Sequence, residues 1–238
     1  LFFLYISDQN NLGYIMADLS VLEGIRARRS VRGFLPDRVP QEVLDEVFGL
    51  AQWSPSGTNI QPWQTFVASG EPLHTLRAEF TRRAREKVPP TPDYTGKSAV
   101  IAHWKDRRRD CAKVLYDAMG IDWEDKAGRA AAGLRNFEMF DAPHVAFLGM
   151  HENFGMGGAW DVGMYAQTLM LAMTARGIGS CAQGTMAHYP DLVRETLGID
   201  PSFKILFGIS FGYEDTSVAA NEARTERAPL ADAVSFYG

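Results

Sequence analysis

The sequence predicts an α+β fold. Helical and strand patterns are mixed along its 238 residues, without the regular strand–helix–strand alternation of a doubly wound sheet. Hydrophobic residues make up 46% of the chain and charged residues 22%, a balance typical of a globular domain with a sizeable core. Two apolar runs, 145–150 and 204–211, are short enough to indicate buried strands.

The first part of the chain is predicted to hold two helices. Apolar residues recur at helical spacing from Leu19, behind a cap at Asp18, so the first helix should end near Arg28. A second apolar stripe, 43–51, follows Pro40, which suits the first turn of a helix.

A loop, a strand and a polar excursion are predicted next. Residues 54–59 are rich in turn-forming types and lead into a strand at 65–68, followed by a helix that opens near Glu71. Residues 88–128 are polar and interrupted by proline. We interpret them as an excursion from the core that is placed to form a lid.

The second half alternates helices with the two apolar strands. A helix is predicted over 130–140, before the strand at 145–150. The run 159–175 is apolar almost all round, but polar residues interrupt it. It therefore indicates a buried core or interface helix and not a membrane span.

The N-terminus favours a later natural start. The chain does not begin with Met, and Met16 directly precedes the first helical pattern. We interpret residues 1–15 as a leader or a vector remnant and 16–238 as a single domain. The apolar run 1–6 is too short to span a membrane and lacks the basic region of a signal peptide. Only two cysteines occur, which fits a reducing cytoplasm.

Charge and histidine spacing exclude several partners. The net charge of −5 argues against nucleic acid as the main partner. The arginine clusters at 82–85 and 107–109 are interleaved with acids, so we interpret both as solvated helix faces. The five histidines lack the spacing of metal ligands, and no metal is predicted.

The segment 28–34 is the first candidate binding site. If the chain is extended after the first helix, its two-residue period places Arg28, Ser30 and Arg32 on one side. Two guanidinium groups and a hydroxyl then converge, and such donors suit a phosphate dianion. The alternative is an exposed basic turn at a helix C-terminus, where arginine also complements the helix dipole. This segment alone leaves both interpretations open.

The loop 54–63 is the second candidate. Its small residues expose backbone N–H groups, and Ser56, Asn59 and Gln61 add polar side chains. Such a loop can lie against a planar heterocycle. The alternative is a simple connection from helix to strand.

Together the two segments resemble the FMN-dependent nitroreductase family. The pattern Arg-x-Ser-x-Arg is followed by Pro-Ser-x-x-Asn-x-Gln-Pro-Trp, and later segments match in order to the C-terminus. The stretch 116–129 most resembles members that act on nitrobenzoate-like aromatics. The other matching segments are Phe140–Pro143, Gly158–Asp161, Gly177–Ser180, Asn221 and Arg224–Leu230.

The resemblance implies a nitroreductase-like sandwich, a mainly antiparallel sheet flanked by helices, in an intertwined homodimer. It implies FMN as cofactor, NADH or NADPH as reductant, and a small nitroaromatic reduced in a ping-pong cycle. No catalytic side chain is expected, because the flavin carries the chemistry. The candidate FMN-binding residues are Arg28, Arg29, Ser30 and Arg32; Pro55, Ser56, Gly57 and Asn59, from the partner subunit; Gln61; Gln183 and Gly184; and Arg224 and Arg227.

Two departures from the family pattern leave roles open. Many members carry Glu where Gln183 stands. The family's ring contact, often Asn with a Lys one turn on, falls here on Arg135-Asn136-Phe137-Glu138, so either Arg135 or Asn136 takes that place, and Glu138 does not replace the lysine electrostatically.

Alternative functions also remain on the same fold. They are reductive dehalogenation, enone or quinone reduction, flavin breakdown, and flavin binding without turnover. Trp104, Trp123 and Phe137 either line an aromatic-substrate pocket or pack the excursion.

Overall fold

A four-stranded antiparallel sheet lies at the centre of the part of the chain that the computed structural model describes, residues 19–95 and 100–238. Its order is β1-β2-β4-β3, and every neighbouring pair is antiparallel. The predicted α+β class and antiparallel sheet are confirmed. The strands are β1 Trp63–Ser69, β2 His144–His151, β3 Gly179–Gln183 and β4 Phe203–Gly212.

Helices cover both faces of this sheet. One apolar cluster joins α2 and α6 to one face, and a second joins α3 and α7 to the other. The β2 strand lies between these layers and is buried on both faces from His144 to Met150, which explains its unbroken apolar run. The helices are α1 Val21–Ala27, α2 Gln41–Ala51, α3 Gly70–Arg85, α4 His103–Ala118, α5 Lys126–Leu134, α6 Met156–Ala175 and α7 Pro190–Leu197.

The start of α1 differs from the prediction. Its cap is Ser20, whose hydroxyl accepts the Glu23 N–H while the Glu23 carboxylate accepts the Ser20 N–H. The predicted cap Asp18, the proposed start at Met16 and the interpretation of residues 1–15 lie outside the described residues. The helix ends beside Arg28, as predicted.

The predicted helix at 130–140 was wrong in both bounds. The α5 helix begins at Lys126, where the Asp125 side chain accepts the Gly128 N–H, and it ends at Leu134. Residues 139–141 all have positive φ, which a right-handed helix cannot accommodate. The strand β3 and the helix α7 were not predicted.

The excursion is helical in its later part, and its helices add no buried residue to the core. Neither α4 nor α5 contains a buried residue among those described. The α4 helix packs instead against a 3₁₀ turn, Ala219–Glu222, that follows β4. Within the described ranges, no helix has the length and apolarity needed to cross a membrane.

Candidate functional site

The phosphate-binding candidate, residues 28–32, lies along the outer edge of β3. The Val31 N–H donates to the Ser180 carbonyl over 3.0 Å, and Ser30 forms a parallel bridge with Ser180. Such close approach requires glycine at position 179, since a Cβ there would lie 2.8 Å from Val31 Cγ2. The extended conformation that the sequence predicted for this segment is present.

Arg28, Ser30 and Arg32 converge around Cys181. Burial raises the pKa of the Cys181 thiol, whereas the charges of Arg32 and Arg28 and a hydrogen bond with Ser30 lower it without cancelling the effect of burial. The three side chains therefore lie on the side of the segment that faces Cys181. Among the described residues, no carboxylate pairs with Arg28 or Arg32, so their donors are available to an anion.

Asn221 fixes this segment from the far end of the chain. Its Oδ1 accepts the Arg32 N–H at 2.6 Å, and its Nδ2 donates to the carbonyls of Gly33 and Asp215, each at 2.9 Å. The side chain is 3% exposed, so these are buried and fully used hydrogen bonds. Sequence reasoning matched Asn221 to the family but did not find this positioning role, because the partners are 189 residues apart.

Arg29 does not belong with its neighbours. Its guanidinium forms an ion pair with Glu214 and donates to the Asn221 carbonyl at 3.0 Å. Successive side chains of an extended segment point to opposite sides, so Arg29 faces the turn after β4 and not the Cys181 side. Arg29 therefore has a structural role in the single chain, and its predicted place among the cofactor residues stays a prediction.

The two C-terminal arginines differ in their surroundings. Arg224 donates to the same Asn221 carbonyl at 2.7 Å, which brings it beside the 28–32 segment. Arg227 is exposed and, within the described chain, hydrogen bonds only to Thr225 and Glu226. The structure therefore brings Arg224 but not Arg227 into contact with the residues around Asn221.

The Gln183–Gly184 turn lies at the other end of β3. The Gln183 side chain is buried; its Oε1 accepts the Ser210 hydroxyl and its Nε2 donates to the Asn136 carbonyl at 2.9 Å. Gly184 faces open space, since a Cβ there would meet nothing within 4 Å. The neighbouring Thr185 hydroxyl is buried and has no hydrogen-bond partner among the described residues. This end of the strand can receive a ligand with a polar edge.

Arg135 and Asn136, the alternatives for a ring contact, have different surroundings. Arg135 is held by Glu138 at 2.8 Å and Asp141 at 2.7 Å. Asn136 is tied to the Gln183 side chain through its own carbonyl. The geometry thus places Asn136 next to the open Gly184 turn and leaves Arg135 in a surface ion-pair network.

The loop 54–63 is held in a strained conformation. The Gly57 N–H donates to buried Asp161 of α6 at 3.2 Å, and the Gln61 N–H donates to the Ser56 hydroxyl at 3.0 Å. Thr58, Asn59 and Gln61 all have positive φ, which costs about 1 kcal/mol or more for each non-glycine residue. Pro55, Gly57, Asn59 and Gln61 are nevertheless exposed in the single chain. Strain at an exposed loop indicates a binding role.

The loop and the 28–32 segment lie at opposite corners of the sheet. The strand register aligns Ser180 with Phe211, His144 and Ser69, at the far end of β1 from Trp63. That end is about 20 Å from the loop along the strand, and the two edges of the sheet are about 14 Å apart. One chain therefore does not bring the two predicted halves of the site together.

The histidines are structural where they are buried. His144 and His151 lie at opposite ends of β2, and the His144 Nε2 accepts the Val39 N–H at 3.0 Å. Burial, with a smaller effect from the charge of Arg38, lowers the pKa of His144 to about 4. In the part of the chain that the structure describes, no cluster of His, Cys, Asp or Glu could hold a metal ion.

Comparison with known proteins identifies the family. The profile of the nitroreductase family matches residues 25–213. The chain is 41% identical over 214 residues to nitroreductase NfnB of Mycolicibacterium smegmatis, covering 89% of this chain and 90% of that one. It is 30% identical over 218 residues to a 4-nitrobenzoate reductase of Pseudomonas putida, covering 90% and 94%.

A solved structure agrees with this assignment. The FMN-dependent nitroreductase NfnB from Mycobacterium smegmatis, crystallised in complex with NADPH, superposes with a TM-score of 0.84 at 39% identity. The alignment covers 90% of this chain and 96% of that one. The profile match spans the 28–32 segment, the 54–63 loop and the Gln183–Gly184 turn. The chain belongs to the nitroreductase family.

Proposed function

We propose that this protein is an FMN-dependent oxidoreductase of the cytoplasm that uses NADPH or NADH to reduce nitroaromatic compounds, of the nitrobenzoate type, in a ping-pong cycle. The observation that carries the proposal is the pair of guanidinium groups, Arg28 and Arg32, without carboxylate partners in the described chain, at one end of β3. The open Gly184 turn lies at the other end.

The length of the outer edge of β3 matches the length of FMN. Ser180, which bridges Ser30, and Gly184 are separated by about 13 Å of strand. That span suits a phosphate joined through a five-carbon chain to a tricyclic ring. The Arg28 and Arg32 guanidiniums and the Ser30 hydroxyl would hold the phosphate, and the backbone of Gln183–Gly184 and Asn136 would face the ring.

The residues of the chain bind and orient the cofactor and the substrate, and FMN supplies the two-electron chemistry when it is bound. Gln183 is buried between Ser210 and Asn136, so its side chain fixes the conformation of the Gln183–Gly184 turn. This role requires an amide, which donates and accepts at once, and it accounts for Gln where many family members carry Glu.

We further propose a homodimer in which each FMN site uses both copies. The loop 54–63 lies at the wrong corner of the sheet to reach the 28–32 segment of its own chain. Along α6, Met156, Trp160 and Met164 form an apolar stripe that is 70%, 68% and 40% exposed. A stripe of this size is unusual on a monomer surface and indicates an interface.

The substrate class is supported by the named relatives. The Pseudomonas putida relative is a 4-nitrobenzoate reductase, and the Mycobacterium smegmatis structure contains NADPH. Reductive dehalogenation, quinone reduction and flavin breakdown are the competing activities on this fold.

Anaerobic absorption spectroscopy tests the proposal. The purified protein should be yellow, NADPH or NADH should bleach the flavin band, and 4-nitrobenzoate should restore it. A colourless protein that takes up no FMN would overturn the proposal, and a yellow protein that neither nucleotide bleaches would be a flavin binder without turnover. Quinone and halophenol, offered as alternative oxidants to the bleached protein, distinguish nitroreduction from the competing activities by their relative reoxidation rates.

A further inference from the structure

A basic groove of about 520 Å³ lies between α4 and α5, among residues that the flavin site does not use. One face of α4 supplies Lys105, Arg108, Arg109 and Tyr116, which are three or four residues apart along the helix or multiples of that spacing. The opposite wall includes Trp123 and Arg129. No acidic side chain is among the described residues that line the groove.

Most of these cations lack a counter-ion. Arg109 pairs with Asp106 at 3.2 Å and Asp110 at 3.5 Å. Lys105, Arg108 and Arg129 form no ion pair within the described ranges. The Arg129 Nε is moreover buried without a hydrogen-bond partner in the described chain. A buried donor without a partner is costly, so the groove is organised to receive an acceptor.

Aromatic rings give the groove a flat apolar wall. The Arg129 guanidinium lies 5.0 Å from the Trp123 ring centroid, and the Tyr116 ring lies 6.1 Å from Trp123. Trp104 is exposed and Phe137 packs against the core, so Trp123 alone of the three excursion aromatics named from the sequence lines this groove. Planar guanidinium and indole surfaces suit a heterocyclic base.

Both walls of the groove connect to the proposed flavin site. The α4 helix packs against Ala219–Glu222, whose Asn221 holds Arg32. The segment after α5 carries Asn136, which is bonded to Gln183 beside the Gly184 turn. The groove and the proposed flavin site therefore share the elements that hold them, as a site for an elongated ligand requires.

We propose that this groove binds the adenosine 2′-phosphate end of NADPH and makes the enzyme prefer NADPH to NADH. The inference rests on the proposed function, which requires a nicotinamide reductant. NADPH carries a pyrophosphate and a 2′-phosphate together with a purine base, and unpaired guanidinium forks beside aromatic rings complement these groups. A nitrobenzoate carries a single carboxylate and would leave most of the groove's cations unpaired.

Isothermal titration of the FMN-loaded protein with adenosine 2′,5′-bisphosphate tests the groove without turnover. The wild type should bind this probe more tightly than adenosine 5′-monophosphate. Arg108→Gln and Lys105→Gln should each weaken binding of the bisphosphate about tenfold, as expected for loss of one charge-assisted contact. Both side chains are exposed on α4, so the fold should tolerate the changes.

Arg107→Gln is the matched control. Arg107 is the adjacent residue on the same helix, but it lies on the opposite face and pairs with Asp232 at 2.8 Å. This variant should bind the probe like the wild type. In steady-state assays Arg108→Gln should raise KM for NADPH about tenfold and KM for NADH by a much smaller factor, because NADH lacks only the 2′-phosphate.

Two results would overturn the assignment. One is unchanged binding of the bisphosphate by both Arg108→Gln and Lys105→Gln. The other is a rise in KM for 4-nitrobenzoate with KM for NADPH unaltered, which would make the groove an oxidant site. Failure of the proposed function looks different, because the protein would then lack FMN or would not be bleached by NADH, whereas these two results leave both properties intact.

Discussion

Two adjacent arginines, Arg28 and Arg29, have different roles because an extended segment alternates its sides. Arg28 lies on the Cys181 side without a carboxylate partner in the described chain, and Arg29 is held by Glu214 and the Asn221 carbonyl. Replacing Arg28 by Gln should therefore weaken FMN binding by about tenfold to a hundredfold, since one or two charge-assisted hydrogen bonds are lost. The free energy of unfolding of the FMN-free protein should not change.

Arg29→Gln should give the opposite pattern. It removes a partly buried ion pair and should lower the free energy of unfolding by about 1 kcal/mol, with a smaller effect on FMN affinity. Fluorescence titration with FMN and urea denaturation of the FMN-free variants separate the two effects. Equal losses of FMN affinity in both variants would contradict the assigned roles.

His144 makes the stability of the fold depend on pH. The Val39 N–H donates to Nε2, so the neutral ring carries its proton on Nδ1 and donates it to the Ser69 hydroxyl. Burial lowers the pKa of His144 to about 4 in the folded protein, against about 6.5 in an unfolded chain. The unfolded state therefore binds a proton in this window and the folded state does not. Stability is full above pH 6.5 and declines as the pH falls towards 4.

This linkage predicts that the free energy of unfolding drops by about 2 kcal/mol between pH 7 and pH 5 because of His144 alone. His144→Asn keeps a hydrogen-bonding side chain but does not titrate. Urea denaturation of both proteins at the two pH values should show a smaller drop in the variant, by about that amount. Identical pH dependence would mean that His144 is not the responsible group.

At the scale of elements, the close packing of the 28–32 segment against β3 depends on glycine at position 179, because any side chain there would contact Val31. Gly179→Ala would place a Cβ 2.8 Å from Val31 Cγ2 and push the segment away from the strand. We expect a loss of about 1–3 kcal/mol in the free energy of unfolding. FMN binding should weaken as well, because Arg28 and Arg32 move with Val31.

Gly133→Ala provides the control for this change. Gly133 lies in α5, and a Cβ there would meet no atom within 4 Å. Because alanine favours helix, this variant should be stabilised by up to about 1 kcal/mol. Urea denaturation with FMN titration of both variants is the measurement. A Gly179→Ala protein as stable and as well saturated as the wild type would show that the close contact is not needed.

Elements with a strong apolar pattern could be predicted from the sequence, whereas short elements such as β3 could not. The strand β2 and the helix α6 are long and apolar, so their place was evident. The strand β3 is short and contains Gly, Ser and Gln, and only pairing with β4 makes it a strand. The α7 helix did carry a signal, with Pro190 at its first turn and Gly198 in a left-handed conformation after its end.

The candidate site was predictable in its local motifs and not in its long-range contacts. The alternation of Arg28, Ser30 and Arg32 follows from extended backbone and was visible in the sequence. That Arg29 meets Glu214, and that Asn221 caps Arg32, depends on contacts between opposite ends of the chain. Sequence spacing does not encode such contacts, so the structural role of Arg29 could not be predicted, and Arg28, Ser30 and Arg32 remain the stronger candidates for FMN binding.

At the scale of the whole molecule, large apolar side chains of α1, α6 and the residues before the loop 54–63 are exposed to solvent in the single chain. Leu22 and Ile25 of α1 are 64% and 52% exposed, although their helical spacing is that of a packed face. Trp53, next to the strained loop, is 88% exposed. Together with the outer stripe of α6, these exposed side chains support the proposed homodimer.

Trp160→Asp tests whether association and FMN binding are one event. The substitution places a charge in the outer stripe of α6 and should convert the dimer to a monomer. In the proposed dimer the loop 54–63 comes from the second copy, so the monomer should also lose FMN, with affinity reduced by about a hundredfold or more. Trp160→Phe keeps the apolar surface and should remain dimeric and yellow. Light scattering during size exclusion, with FMN content measured in each peak, gives both quantities. A monomeric Trp160→Asp protein that retained one FMN per chain would show that a single chain builds the whole site, and the two corners of the sheet would then need another connection.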